Sequence, residues 1–177
     1  MQPQEGLCLF GAAVEQQKEE TMDTKKIIID GTFNVLVDYN QSIEEAVKSY
    51  DSVTPQIISE RFIPPLVRRG KSGIVVELVR FEEPLSTEEM IHEFKRMGYR
   101  PANIYELLAL GEQFPEVQKK FTIVAFGSLW QFEGGDHYIY YAPFLYGTNL
   151  IRGLRLGRVD ANNFWLGFCR FAVVRNE

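Results

Sequence analysis

The stretch FTIVAFGSLWQFEGGDHYIYYAPFLYGTNLIRGLRLGRVDANNFWLGFCRFAVV, residues 121–174, decides the fold. Four apolar or aromatic runs, 121–126, 138–145, 150–156 and 168–174, each have strand length. They are separated by Gly134-Gly135, by Gly147 and by Asp160-Ala161-Asn162-Asn163, which are turn formers. This is the pattern of a β meander.

The segment before it reads differently. Lys26 to Ile29 and Thr32 to Tyr39 have strand character, with Phe33, Val35, Val37 and Tyr39 alternating and Asp30-Gly31 expected as a turn between them. Ser42 with Glu45 is spaced as a capping box, and Ile43, Ala46, Val47 and Tyr50 follow at helical period. Gly73 to Phe81 is β-branched and reads as an interior strand. Ser86 with Glu89 opens a second helix carrying Met90, Ile91, Phe94 and Met97, closed by Gly98. Pro101 is expected in the first turn of a third helix, with Ile104, Leu107, Leu108 and Leu110 as its apolar face and Gly111 as its end. A strand, helices and then a meander give an α+β fold, mainly antiparallel, with two to three short helices. Residues 1–24 are rich in Gln and Glu without period and are expected as a flexible tail, leaving 25–177 as one domain.

Charge and chemistry narrow the function. The net charge of −5 lacks the basic concentration that phosphates demand, so no nucleic acid is expected as a partner. No apolar run reaches the length of a membrane span and no signal-peptide pattern opens the sequence, so a soluble protein is expected, intracellular or carried on a virion or cell surface through another protein. Cys8 and Cys169 are too few for a disulfide framework.

Gly70-Lys71-Ser72 resembles the end of a phosphate loop, but Pro65 stands where that loop needs glycine. His92 and His137 lack a second ligand at metal spacing, and Asp160, Asn162 and Asn163 fit an Asx-rich turn better than a calcium loop. Ser128 lacks the GxSxG frame, and Cys169 lies within a strand. Asn40-Gln41-Ser42 matches a glycosylation sequon, which has meaning only on secretion. No catalytic residue, metal or cofactor is therefore expected.

What remains is a concentration of recognition residues. Four of the eight tyrosines lie between 138 and 146, and the same C-terminal third is punctuated by His137, Asn149, Asp160, Asn162, Asn163 and Phe164. Tyr supplies stiff amphipathic contact area and Asn, Asp and Gly supply adaptable hydrogen bonding, as in antibody loops, although a β-rich core with polar turns has a similar composition.

The run Gly98-Tyr99-Arg100-Pro101-Ala102-Asn103-Ile104-Tyr105-Glu106-Leu107-Leu108-Ala109-Leu110 resembles the conserved helix of formylglycine-generating-enzyme-type C-type lectin domains. Gly127-Ser128-Leu129-Trp130 is similar to the Gly-Ser-x-Trp segment that follows it there, and 166–175 resembles the closing Gly-Phe-Arg strand. Within that group the chain most resembles the variable proteins of diversity-generating retroelements, found in phages, bacteria and archaea with their viruses.

The resemblance implies a C-type-lectin-like scaffold in which Leu154, Leu156, Trp165 and Phe171 are core and about 130–170 carries a variable ligand-binding surface. Its implied ligand-binding residues are His137, Tyr138, Tyr140, Tyr146, Asn149, Arg155, Asp160, Asn162 and Asn163. The implied partner is a macromolecule, a protein before other classes. The enzyme activity of the wider group does not carry over, because Cys169 has no partner cysteine in the domain, and the Glu-Pro-Asn and Trp-Asn-Asp motifs of calcium-dependent sugar binding do not occur. Two other classes stay open: a small enzyme using surface carboxylates, which requires a cleft with perturbed acids, and an assembly protein whose aromatics form an oligomer interface.

Overall fold

The computed structural model describes residues 25–58, 62–63, 69–134, 137–159, 165 and 167–176. The tail proposed for residues 1–24 lies outside them.

The chain opens with β1 (Ile27–Asp38), one continuous strand rather than two pieces around a turn. Its antiparallel partner is β4 (Lys71–Phe81), and the register slips between Ile29↔Val79 and Gly31↔Leu78, making Asp30 the extra residue of a β-bulge. The turn expected at Asp30-Gly31 is thus a kink within a strand. Two arginines hold it: Arg80 Nε donates to Asp30 Oδ2 at 3.1 Å, and Arg170 Nε forms an ion pair with the same oxygen at 2.5 Å. Gly31 lets the Phe33 ring pack close to the bulge, since a Cβ would lie 2.6 Å from that ring.

Between these strands, Ser42 Oγ accepts from Glu45 N to start α1 (Ile43–Ala46), which tightens into a 3-10 turn at Val47–Ser49. The short β2 (Ser52–Val53) and β3 (Phe62–Ile63) flank a second 3-10 turn, Pro55–Ile58. After β4, α2 (Thr87–Arg96) begins with the full Ser86–Glu89 capping box and buries Met90 and Phe94. Ile91, expected on its apolar face, is 42% exposed. Gly98 then adopts φ 78°, the left-handed conformation that glycine tolerates after a helix.

The third helix departs from the sequence reading at both ends. Pro101 belongs to β5 (Tyr99–Pro101), paired with Val173, and the true cap of α3 (Ile104–Gln113) is Asn103, boxed with Glu106. Gly111 lies inside this helix instead of ending it: a Cβ there would sit 2.3 Å from Tyr50 Oη and 2.7 Å from Leu145 Cδ1. Close packing, not termination, accounts for that glycine.

The rest is α4 (Val117–Lys120), β6 (Thr122–Val124), β7 (Leu129–Gly134), β8 (His137–Gly147), β9 (Arg152–Val159) and β10 (Cys169–Arg175). The sheet runs β1-β4-β10-β6-β8-β7-β3, with β9 on β8, β2 on β9 and β5 on β10. The fold is α+β. Most pairings are antiparallel as expected, but β6 lies parallel to β10, and β2 parallel to β9.

Two apolar clusters form the core. The larger gathers Val35, Val37, Leu107, Leu110, Trp130, Leu145 and Leu154 between α3 and the sheet. The second gathers Val79, Met90, Phe94, Val124, Phe126, Ala142 and Phe171 beside α2. Of the residues expected as core, Leu154 and Phe171 are buried, whereas Leu156 and Trp165 are partly buried against the two clusters.

Candidate functional site

The β8–β9 pair has two faces of different character. Registers such as Leu145↔Leu154 and Pro143↔Leu156 put one set of alternating side chains into the larger core, where Leu145 and Leu154 are fully buried. The opposite set on β8 is Tyr140, Ala142, Phe144 and Tyr146, facing Val159, Gly157, Arg155 and Gly153 of β9. The second cluster covers Ala142 and takes in part of Phe144 and Val159. That leaves the hairpin end open around Tyr146 and Arg155.

The glycines shape this end. A Cβ on Gly153 would lie 2.1 Å from the Tyr146 ring, so the ring rests flat on bare backbone. One on Gly157 would lie 3.3 Å from the Phe144 ring. Glycine within a strand marks a close approach of this kind. The Arg155 guanidinium sits 4.7 Å from the centroid of Tyr146, a cation–π stack, while Phe144 and Tyr146 are 6.2 Å apart between centroids.

The loop beyond is built by Thr148. Its Oγ1 accepts from the Leu150 and Ile151 amides, both at 3.1 Å, and its N–H donates to the Ile151 carbonyl at 2.8 Å. This turn lifts Leu150, 89% exposed, away from the protein, although the sequence pattern placed it in a strand. The root is anchored by Arg152, whose Nη2 donates to Gly111 O at 2.7 Å and whose backbone N–H donates to Asp51 Oδ2 at 2.7 Å. Its guanidinium lies over the Tyr50 ring, and burial pushes that phenol upward in pKa.

The implied site residues are distributed unevenly. Tyr146 and Arg155 touch, with exposed Asn149 in the adjoining loop. Tyr140 is also exposed but stands roughly 20 Å from Tyr146 along β8 at strand rise. His137 and Tyr138 pair in register with Gly134 and Glu133, and their side chains lie outside the described residues. Asp160, Asn162 and Asn163 also lie outside them.

No family model, curated protein or solved structure matches this chain.

Sequence reasoning passed over Phe144, Gly153, Gly157, Leu150 and Ile151 as parts of the site. The signal for the glycines was present: two glycines four apart in a strand fall on one face, and that face meets aromatic residues.

Elsewhere, a cleft of about 480 Å³ opens between β1, α1 and α3 beside Asp38, Lys71, Tyr105 and Glu112. Another of about 330 Å³ lies beside Lys25, Glu88, His92 and Glu93 on α2. Among the described residues no three His, Cys, Asp or Glu side chains are grouped to hold a metal ion, and no helix is long and apolar enough to cross a membrane.

The shifted acids outside the hairpin have structural causes. Glu89 is lowered by hydrogen bonds from the Ser86 N–H and hydroxyl at the helix cap. Tyr99 is pushed up to about 12 by burial and by its bond to Glu77. Ser128 is occupied as well, its Oγ accepting from Ile104 N at 2.9 Å to cap α3.

Proposed function

We propose that this is a ligand-binding protein that displays a diversified surface on a constant scaffold of the C-type lectin type, as in variable proteins of diversity-generating retroelements, and that its partner is a protein. It performs no catalysis of its own and holds no cofactor.

The observation that carries this reading is the division of labour across β8 and β9. Leu145 and Leu154 are fully buried on one face, while Tyr146 and Arg155 at the hairpin end and Asn149 in the loop rest on glycine backbone or face solvent. Exposed side chains such as Asn149 and Arg155 can vary at a cost of about 0.5 kcal/mol or less each, the usual scale for exposed sites. The resemblance over 98–175 supports the reading independently of this geometry.

Sequencing the DNA that flanks the gene tests it. The expected finding is a near-identical repeat of the segment encoding about 130–170, differing at adenines, beside a reverse transcriptase gene. A locus with neither would remove the retroelement assignment. Exposed Leu150 and Ile151 favour a second reading as an assembly surface. Sedimentation separates the two, since a monomer at tens of micromolar contradicts assembly.

A further inference from the structure

We propose that the partner presents a carboxylate beside an apolar side chain, and that Arg155 is the residue that receives the carboxylate. The inference rests on the binding-surface reading above and goes beyond it by naming the chemistry recognised.

Its starting point is an arginine left unpaired in an acidic protein. Arg80, Arg96, Arg100, Arg170 and Arg175 each lie within 2.5 to 3.1 Å of an Asp or Glu oxygen. Among the described residues Arg155 lies close to no carboxylate, and its guanidinium stacks on the Tyr146 ring. The net charge is −5, so acids for pairing are plentiful in the chain.

Stacking also prepares the group to bind. A guanidinium face held against a ring loses rotational freedom, and its in-plane N–H donors stay at the rim, in the fork that matches a carboxylate. The neighbours two residues away on its own strand face are Gly153 and Gly157, so no side chain there screens the approach.

Apolar surface is close at hand. Phe144 is directly opposite Arg155 in the β8–β9 register, and the adjoining loop carries Leu150 and Ile151, 89% and 44% exposed. A cation edged by aromatic and aliphatic surface complements an acidic side chain next to a hydrophobic one. Nucleic acid is the less fitting anion, because binding it at physiological salt takes several phosphate contacts and the net charge is −5.

The test is selection of a phage-displayed dodecapeptide library on the full-length protein, followed by calorimetry with the best synthetic peptide and with a (dT)12 oligonucleotide. The expected peptides carry Asp or Glu beside an aromatic or aliphatic residue. Their Kd should weaken about tenfold or more in Arg155→Gln, the scale of a lost charge-assisted hydrogen bond, and less in Arg155→Lys.

Peptides that bind without acidic enrichment, that lose affinity in Tyr146→Ser and that ignore Arg155→Gln would overturn this inference while leaving the binding surface standing. Peptides indifferent to both substitutions, or recovery of none, overturn both. Tighter binding of the oligonucleotide than of any peptide, abolished by Arg155→Gln, overturns the carboxylate assignment in favour of phosphate.

Discussion

At the scale of single residues, stability rests on two satisfied carboxylates. Glu106 is fully buried and accepts from Arg100 Nη1 and Nη2 at 2.9 and 2.7 Å, from Tyr39 Oη at 2.8 Å and from its own cap residue Asn103 at 2.9 Å. Glu106→Gln removes the charge that Arg100 is paired with, so a loss of about 3 kcal/mol is expected in urea melts, the lower end for breaking a buried pair because Arg100 is partly exposed. Glu77 does a similar task for β10 and β5: Tyr99 Oη donates to it at 2.5 Å and Arg175 Nε at 3.1 Å. The folded protein holds Tyr99 protonated up to about 12, whereas the unfolded chain releases that proton near its ordinary value of 10. Stability from this site is therefore complete below pH 10 and lost as pH rises from 10 towards 12. Melting curves across that window should fall less steeply for Tyr99→Phe than for the wild type, and equal slopes would contradict the assignment.

At the scale of elements, two glycines set sequence propensity against packing. Gly111→Ala should favour α3 by about 1 kcal/mol on helix propensity alone. Its Cβ would instead meet Tyr50 Oη and Leu145 Cδ1 at 2.3 and 2.7 Å. Overpacking of this kind costs about 1 to 3 kcal/mol, so a net loss is expected by denaturant titration. Gly153→Ala places a Cβ 2.1 Å from the Tyr146 ring and should likewise destabilise. That loss should shrink in the Tyr146→Ala background, since the cycle removes the clash from one arm.

These positions also show where sequence reading stops. The caps at Ser42 and Ser86 were legible because a cap and its partner are three residues apart, but only Ser86 closes a full box, since the Glu45 carboxylate accepts from Lys48 instead of from the Ser42 backbone. Gly111 was misread as a helix end because the atoms that require it, on Tyr50 and Leu145, are distant in sequence. Asp30-Gly31 was misread as a turn for the same reason: Arg80 and Arg170, which hold the bulge, come from β4 and β10.

At the scale of the whole molecule, the α+β class was legible from the change of period near Pro115, but the sheet order was not: β10, expected to close a meander after β9, lies between β4 and β6. The parallel pairs β6–β10 and β2–β9 were not legible either, since pairing between strands some fifty to one hundred residues apart leaves no local pattern. The shape of the β8–β9 face was only partly legible. Its tyrosines stood out by type, but the backbone plateau beneath Tyr146 emerged only once Gly153 and Gly157 were seen opposite Tyr146 and Ala142.

The central claim is that the exposed side chains of β8, β9 and the loop between them can change without disturbing the fold, and one pair of denaturant titrations tests it most directly. Tyr140→Ser, Asn149→Ser and Arg155→Ser combined should cost about 1.5 kcal/mol or less in total, as for exposed positions. Leu154→Ala alone, which empties a fully buried site, should cost about 2 to 5 kcal/mol. A triple variant that loses as much stability as Leu154→Ala would show those side chains to be structural and would contradict the account.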